Sequence, residues 1–184
     1  MPHDSSQVYQ PEADTYLLLN AARADVKPGD HVLEIGTGSA IIAVELAGVT
    51  KVVATDINPH AALCAREKGI DVVRGDLLSG IRGIFDLILF NPPYLPTFPE
   101  DRIDDWFEYA LDGGIHGRDV IGRFAKDVSR VLAPDGRILL LISSLTGLEE
   151  VQEIFFRRNF KSEIVMKEYV EDENLYVLRI VRIN

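Results

Sequence analysis

The sequence has 184 residues, a length that supports one domain. Hydrophobic residues at 47% and charged residues at 26% match globular chains and exclude a disordered, collagenous or coiled-coil body. Nineteen basic against 29 acidic residues give a net charge of −10, which opposes unaided binding to a phosphate backbone.

Short apolar runs alternate with longer amphipathic ones, the pattern of an α/β sheet with crossover helices. Pro11–Ala22 reads as an opening helix, and Pro28-Gly29-Asp30 breaks the chain ahead of a first strand, His31–Ile35. Ile41–Ala47 reads as a helix, Lys51–Thr55 as a strand, Pro59–Lys68 as a helix with proline in its first turn, and Asp71–Val73 as a short strand. Phe85–Phe90 is the next strand. Arg118–Leu132 is predicted helical and ended by Pro134-Asp135-Gly136, after which the nearly all-apolar Arg137–Ser143 suits a strand covered on both faces. Gly147–Arg158 is a further helix. Phe160–Glu168 and Leu175–Ile183, on either side of Glu171-Asp172-Glu173-Asn174, predict a terminal antiparallel hairpin. Residues 1–184 are thus read as a single domain with 1–27 as a helical lead-in. The long connection 91–117 is expected to be a lid or binding loop.

No apolar run is long enough for a bilayer, and Met1–Gln10 carries no apolar targeting stretch. Cys64 is the one cysteine, so no internal disulfide or cysteine metal cluster forms, and a reducing, cytoplasmic setting is expected. The four histidines, His3, His31, His60 and His116, are too scattered for a metal site, and no metal is expected.

Glu34-Ile35-Gly36-Thr37-Gly38-Ser39-Ala40 puts glycines between a strand and a helix, where backbone must come close to a ligand or to its own helix. Asp56 follows Gly36 by twenty positions, with Ile57 beside it, a spacing that offers a carboxylate to ribose hydroxyls. A dinucleotide fingerprint requires a third glycine where Ile41 stands, which weakens an oxidoreductase reading. Glu34, Asp56 and Asp76 are expected to gather at the ends of adjacent strands and to favour a cationic, phosphate-free nucleoside, of which the sulfonium S-adenosylmethionine is one. Asp76, in Gly75-Asp76-Leu77, is placed to accept from an adenine amino group; an ordinary loop or capping aspartate is the alternative.

Asn91-Pro92-Pro93-Tyr94 follows the strand Phe85–Phe90 and so falls at the ligand-binding edge of the sheet. Each proline fixes φ, lacks an N–H and biases its predecessor toward extended backbone, leaving a rigid platform of acceptors. The Asn91 side-chain oxygen and the Pro92 carbonyl can take both N–H bonds of a planar amino group and aim its nitrogen at a methyl donor. Tyr94 would pack on the substrate or on the sulfonium charge.

These segments resemble class I S-adenosylmethionine-dependent methyltransferases of the HemK type, which methylate glutamine side chains in translation release factors. The resemblance rests on Val8 through Thr15, Glu34 through Ala40 with Asp56, Asn91 through Tyr94, and Ala110 through Gly117, and it covers nearly the whole chain. It implies a Rossmann-like fold: a seven-stranded, mostly parallel sheet with an antiparallel C-terminal hairpin and helices on both faces. With thirty residues ahead of His31, the chain is similar to the short archaeal and eukaryotic branch, which lacks the N-terminal helical domain of bacterial members. The resemblance implies that Tyr9 and Thr15 join Glu34, Gly36, Thr37, Gly38, Asp56, Ile57, Asp76, Leu77 and Asn91 around the cofactor, Thr15 near its carboxylate end. Asn91, Pro92, Pro93 and Tyr94 would hold the substrate, with Asn91, Pro92 and Tyr94 carrying the catalysis. Gln10, Glu12 and Ala13 depart from the branch's usual Y-E-P-A-E-D-T, and Ala40 stands for a third glycine. It also implies a small zinc-binding activator protein, which would add to a sheet edge at Asp71–Arg74.

The expected reaction is methyl transfer to a glutamine amide nitrogen in a release factor. An amino methyltransferase acting on adenine or guanine uses the same tetrapeptide geometry, but the charge of −10 argues against it. A cofactor-binding subunit without catalysis is a third reading, and the intact Asn91 segment argues against that. Glu100, Asp101, Asp104, Asp105 and Glu108 form an acidic run that would receive a basic protein segment, although Trp106, Phe107 and Tyr109 beside them read more readily as partly buried anchors of a solvated charge run.

Overall fold

The computed structural model of the protein describes residues 3–98, 100 and 105–183. Its sheet has seven strands: β1 (His31–Ile35), β2 (Lys51–Asp56), β3 (Asp71–Arg74), β4 (Phe85–Phe90), β5 (Leu132–Ser143), β6 (Phe160–Val170) and β7 (Glu173–Arg182). Their order across the sheet is β3-β2-β1-β4-β5-β7-β6. The first five are parallel, and β7 returns antiparallel between β5 and β6. The helices are α1 (Ala13–Asp25), α2 (Ile41–Ala47), α3 (Pro59–Glu67), α4 (Trp106–Tyr109), α5 (Asp119–Asp127) and α6 (Leu148–Phe156).

Alternation along the central strands sorts the core into two layers. Leu33, Ile35, Ile88, Phe90, Ile138 and Leu140 face one side, where Ile121, Phe124 and Ala125 of α5 and Val151 and Phe155 of α6 cover them. Val32, Leu87, Leu89, Leu139 and Leu141 face the other, under Leu18 and Ala22 of α1 and Ile42 and Leu46 of α2. Both faces are therefore dry, as parallel strands require. Four phenylalanines, Phe90, Phe124, Phe155 and Phe160, run edge-to-face from the end of β4 to β6, with ring centroids 5.0, 6.2 and 6.2 Å apart.

Several boundaries differ from the sequence expectations. The opening helix runs from Ala13 to Asp25 and not Pro11–Ala22, because the extended Glu12 marks its start. The helix expected over Arg118–Leu132 stops at Asp127, passes through a 3-10 turn at Val128–Arg130, and gives way to β5 at Leu132. Pro134-Asp135-Gly136 is a bulge inside β5 and not a break before it. Phe85 pairs with Leu132 and Leu87 with Arg137, so the chain makes a side loop and resumes the ladder. The last helix is Leu148–Phe156, and the hairpin turn is the pair Glu171-Asp172, both at positive φ (46° and 68°), as a two-residue turn of twisted strands requires.

The sheet order reverses between β1 and β4, which opens a crevice at the carboxyl ends of those strands. No helix among the described residues is long and apolar enough to cross a membrane.

Candidate active site

A cavity of about 830 Å³ occupies this crevice, and every site residue expected from the sequence lines it. Gly36 follows β1 with φ +66° and sits against the end of β4: a Cβ on it would lie 3.8 Å from the Asn91 carbonyl. The loop is stitched to β2 by Gly36 and Thr37 N–H groups donating to the Thr55 carbonyl (2.8 and 3.2 Å) and by Gly38 N–H donating to Asp56 Oδ2 (2.9 Å). Gly38 also takes positive φ, +50°, and Ala40, buried at the start of α2, takes +61°. That left-handed conformation costs an alanine about 1–2 kcal/mol. Its methyl group is fully buried in the apolar layer, worth about 0.8 kcal/mol, which offsets part of the strain.

The three expected carboxylates have distinct settings. Glu34, 4% exposed, turns its Oε2 to the Thr37 hydroxyl (2.6 Å) and the Ala43 N–H (3.1 Å), so it ties the glycine loop to α2. Burial pushes its pKa up to about 8 against the opposing pull of those two donors. Asp56 accepts from Gly38 and, through Oδ1, from the Asn58 N–H (2.9 Å); burial raises its pKa as well. Each of its oxygens keeps a lone pair for a further donor. Asp76, half-exposed past β3, is ion-paired with Arg123 of α5. Leu77 holds φ +50° and its carbonyl accepts the Thr55 hydroxyl (3.2 Å), while Gly75 N–H donates to the Asp56 carbonyl (2.9 Å). Ile57, 39% exposed, lines the same wall.

Asn91 donates its side-chain N–H to Asp14 Oδ2 at 3.0 Å, and its Oδ1 is buried with no hydrogen-bond partner. Tyr9 and Tyr94 donate their hydroxyls to the same Asp14 oxygen at 3.1 and 3.5 Å. Desolvation, then the Asp14 charge, raises both phenols above their ordinary pKa. Thr15, 8% exposed in the first turn of α1, donates its hydroxyl to Asp14 Oδ1 at 3.1 Å. Asp14 was legible in the sequence only as part of a helix start; its role as the acceptor for three remote groups depends on the tertiary fold.

The connection after Tyr94 folds back on itself. Leu95 and Asp112 form a bridge, with Gly113 N–H donating to the Leu95 carbonyl at 2.9 Å. Gly117 (φ +65°) passes so close to the Tyr94 carbonyl that a Cβ there would collide with it. Phe107 of α4 reaches Tyr9, ring centroids 6.3 Å apart, and Asp105 caps α4 by accepting from Phe107 N–H (3.0 Å). Asp101 and Asp104 lie outside the described residues. Glu171 and Glu173 from the β6–β7 hairpin also line the cavity, an approach the sequence did not signal. Among the described residues lining it, Arg123 is the one Lys or Arg, and it is paired with Asp76. The site is built for a cationic occupant.

A family model described as ribosomal protein L11 methyltransferase (PrmA) matches residues 13–70, the stretch holding the glycine loop and Asp56. A Methanocaldococcus jannaschii protein named provisionally as a protein N5-glutamine methyltransferase is 40% identical over 96% of this chain and 93% of its own. The Homo sapiens methyltransferase HEMK2 is 32% identical over 96% of this chain and 91% of its own. Among solved structures, that of the E. cuniculi Mtq2–Trm112 complex, responsible for methylating the translation termination factor eRF1, superposes with a TM-score of 0.80. It is 29% identical and covers 96% of this chain and 99% of that one. Glycine loop, Asn-Pro-Pro-Tyr platform and full-length relatives agree: the chain belongs to the S-adenosylmethionine-dependent protein N5-glutamine methyltransferases, the family of HEMK2.

Proposed function

We propose that the protein methylates the side-chain amide nitrogen of a glutamine in a translation release factor. The observation that carries this reading is Asn91 Oδ1, a buried acceptor without a partner on the wall of an acidic cavity. An unpaired buried acceptor is costly, and a substrate N–H relieves that cost. With the Pro92 carbonyl as second acceptor, both hydrogens of a primary amide are taken up in the plane. The nitrogen lone pair then points along the normal to that plane, the two acceptors oppose its resonance and stabilise the positive charge it gains on forming the N–C bond, and one of the two N–H protons is then lost to water.

The residues fit S-adenosylmethionine. Asp56 has capacity for ribose hydroxyls, Gly36 and Gly38 leave room beside them, and the uncompensated acidic lining suits a sulfonium. When bound, the cofactor supplies an electrophilic methyl group on a positively charged sulfur. Tyr9 and Phe107 both line the cavity and add an aromatic wall to it.

β3 is a four-residue edge strand paired only with β2, and Asp71, Val73 and Arg74 are exposed on it. By analogy with the Mtq2–Trm112 assembly, we place a small activator protein on this edge. With a release-factor substrate, the cytoplasm is the setting we propose for the protein.

The test is incubation with methyl-labelled S-adenosylmethionine and, separately, release factor, ribosomal RNA and duplex DNA, followed by peptide mass spectrometry. Label on a release-factor glutamine supports the reading. Label on an adenine or guanine amino group, with none on protein, overturns it.

A further inference from the structure

We infer that Asp14 is a positioning residue that fixes which end of the Asn91 side-chain amide meets the substrate. A primary amide has a donor end and an acceptor end of nearly the same shape, and a half-turn about its last torsion exchanges them. The wrong end would present N–H to a substrate that itself brings N–H. Nothing in the backbone of Asn91-Pro92-Pro93-Tyr94 selects between the two. Asp14 does, because an ionised carboxylate only accepts: with Asp14 Oδ2 3.0 Å from Asn91 Nδ2, the oxygen end must lie on the other side.

The carboxylate is itself held from both sides. It is 4% exposed, its Oδ1 takes the Thr15 hydroxyl and backbone N–H, and its Oδ2 takes the Tyr9 and Tyr94 hydroxyls. The Tyr94 hydroxyl turns its hydrogen to Asp14, and that of Tyr9, 3.1 Å from Asp14 Oδ2 and 3.2 Å from Glu12 Oε2, serves one of these two carboxylates, so neither phenol offers a hydrogen to Asn91 Oδ1. Five residues from the opening segment and the platform, Tyr9, Asp14, Thr15, Asn91 and Tyr94, thus form one network with a single polarity, and Asn91 Oδ1 is the acceptor it leaves open. The inference rests on Asn91 as the acceptor of the substrate amide, and it adds what sets its orientation.

Asp14→Asn preserves shape and removes the bias. Its single-turnover methyl-transfer rate should fall about 10- to 100-fold, with the dissociation constant for S-adenosylmethionine within about threefold of the parent value. In an Asn91→Ala background the same change should cost less than about twofold more, because Asp14 acts through Asn91. Equal losses of rate and cofactor affinity would make Asp14 a cofactor ligand and overturn the inference, as would losses that multiply in the double variant. The side-chain amide resonances of Asn91 in ¹⁵N-labelled protein give a readout that needs no substrate. They should be slow to exchange in the parent and shift and exchange faster in Asp14→Asn. If Asp14→Asn does not fold, the parent spectrum decides, since fast-exchanging Asn91 amide protons contradict a bond to a buried carboxylate. Loss of release-factor methylation by the parent protein, with the Asn91 resonance as expected, would refute the substrate reading and not the Asp14–Asn91 bond.

Discussion

Glu34 holds the glycine loop from beneath, and its protonation couples that loop to pH. Folded, burial keeps its proton up to about pH 8; its ordinary value is 4.5. Between these values the folded state binds a proton that the unfolded state has released, so the contribution of Glu34 to stability falls as pH rises from about 4.5 to about 8. Glu34→Gln keeps an oxygen for Thr37 and Ala43 and cannot ionise. Urea denaturation should show the variant at least as stable as the parent at about pH 8, with a flatter fall from about pH 5. A parent protein that gains stability over that range more steeply than the variant would contradict the buried, neutral Glu34. The residue is visible in the sequence as the acid before Gly36, but the spacing could not separate a ligand-facing carboxylate from one turned onto Thr37 and Ala43. Only the path of α2 over the loop does so.

The return segment Ala110–Gly117 supports the Asn-Pro-Pro-Tyr platform from behind. Gly117 lies against the Tyr94 carbonyl, and its left-handed φ adds strain for any other residue. Gly117→Ala should therefore displace Tyr94, costing about 1–3 kcal/mol of stability and lowering the methyl-transfer rate, while cofactor affinity changes less. Parallel thermal melts, calorimetry and single-turnover assays read these three quantities, and an unchanged rate would contradict the support role. In the acidic segment, Asp105→Asn keeps the α4 cap, since asparagine caps as well as aspartate. Combined with Glu108→Gln, it should raise KM for release factor severalfold and weaken its salt dependence, with little change at saturation, because both charges are only partly buried and a charge that water still reaches contributes about 0–1 kcal/mol. A collapse of the saturated rate would assign the segment to the chemistry itself. At this scale the strands were legible from their apolar runs, whereas the Pro134-Asp135-Gly136 bulge was not. Those residues carry the signature of a turn, and only the Phe85 and Leu87 pairings on either side show that β5 continues through it.

Across the whole molecule, the reversal of strand order between β1 and β4 brings two sequence-distant loops to one crevice. The glycine loop and the Asn91 segment each announce their chemistry locally, and the alternation of strands and helices predicts the common edge on which they meet. The Asp14 network was not legible, because its members are as far as 80 residues apart and Asp14, which joins them, alone reads as an ordinary helix-start residue. Nor was the pairing of Asp76 with Arg123, which joins the loop after β3 to the middle of α5. On the proposed reading, what the assembled site offers is the open acceptor Asn91 Oδ1 in an acidic pocket, with the proton that methyl transfer frees from the amide passing to water. The most direct test of that claim is the single-turnover rate of Asn91→Ala at saturating S-adenosylmethionine and substrate. The rate should fall about a hundredfold or more with cofactor affinity near the parent's, as when one transition-state hydrogen-bond partner is removed; a near-parental rate would contradict the account.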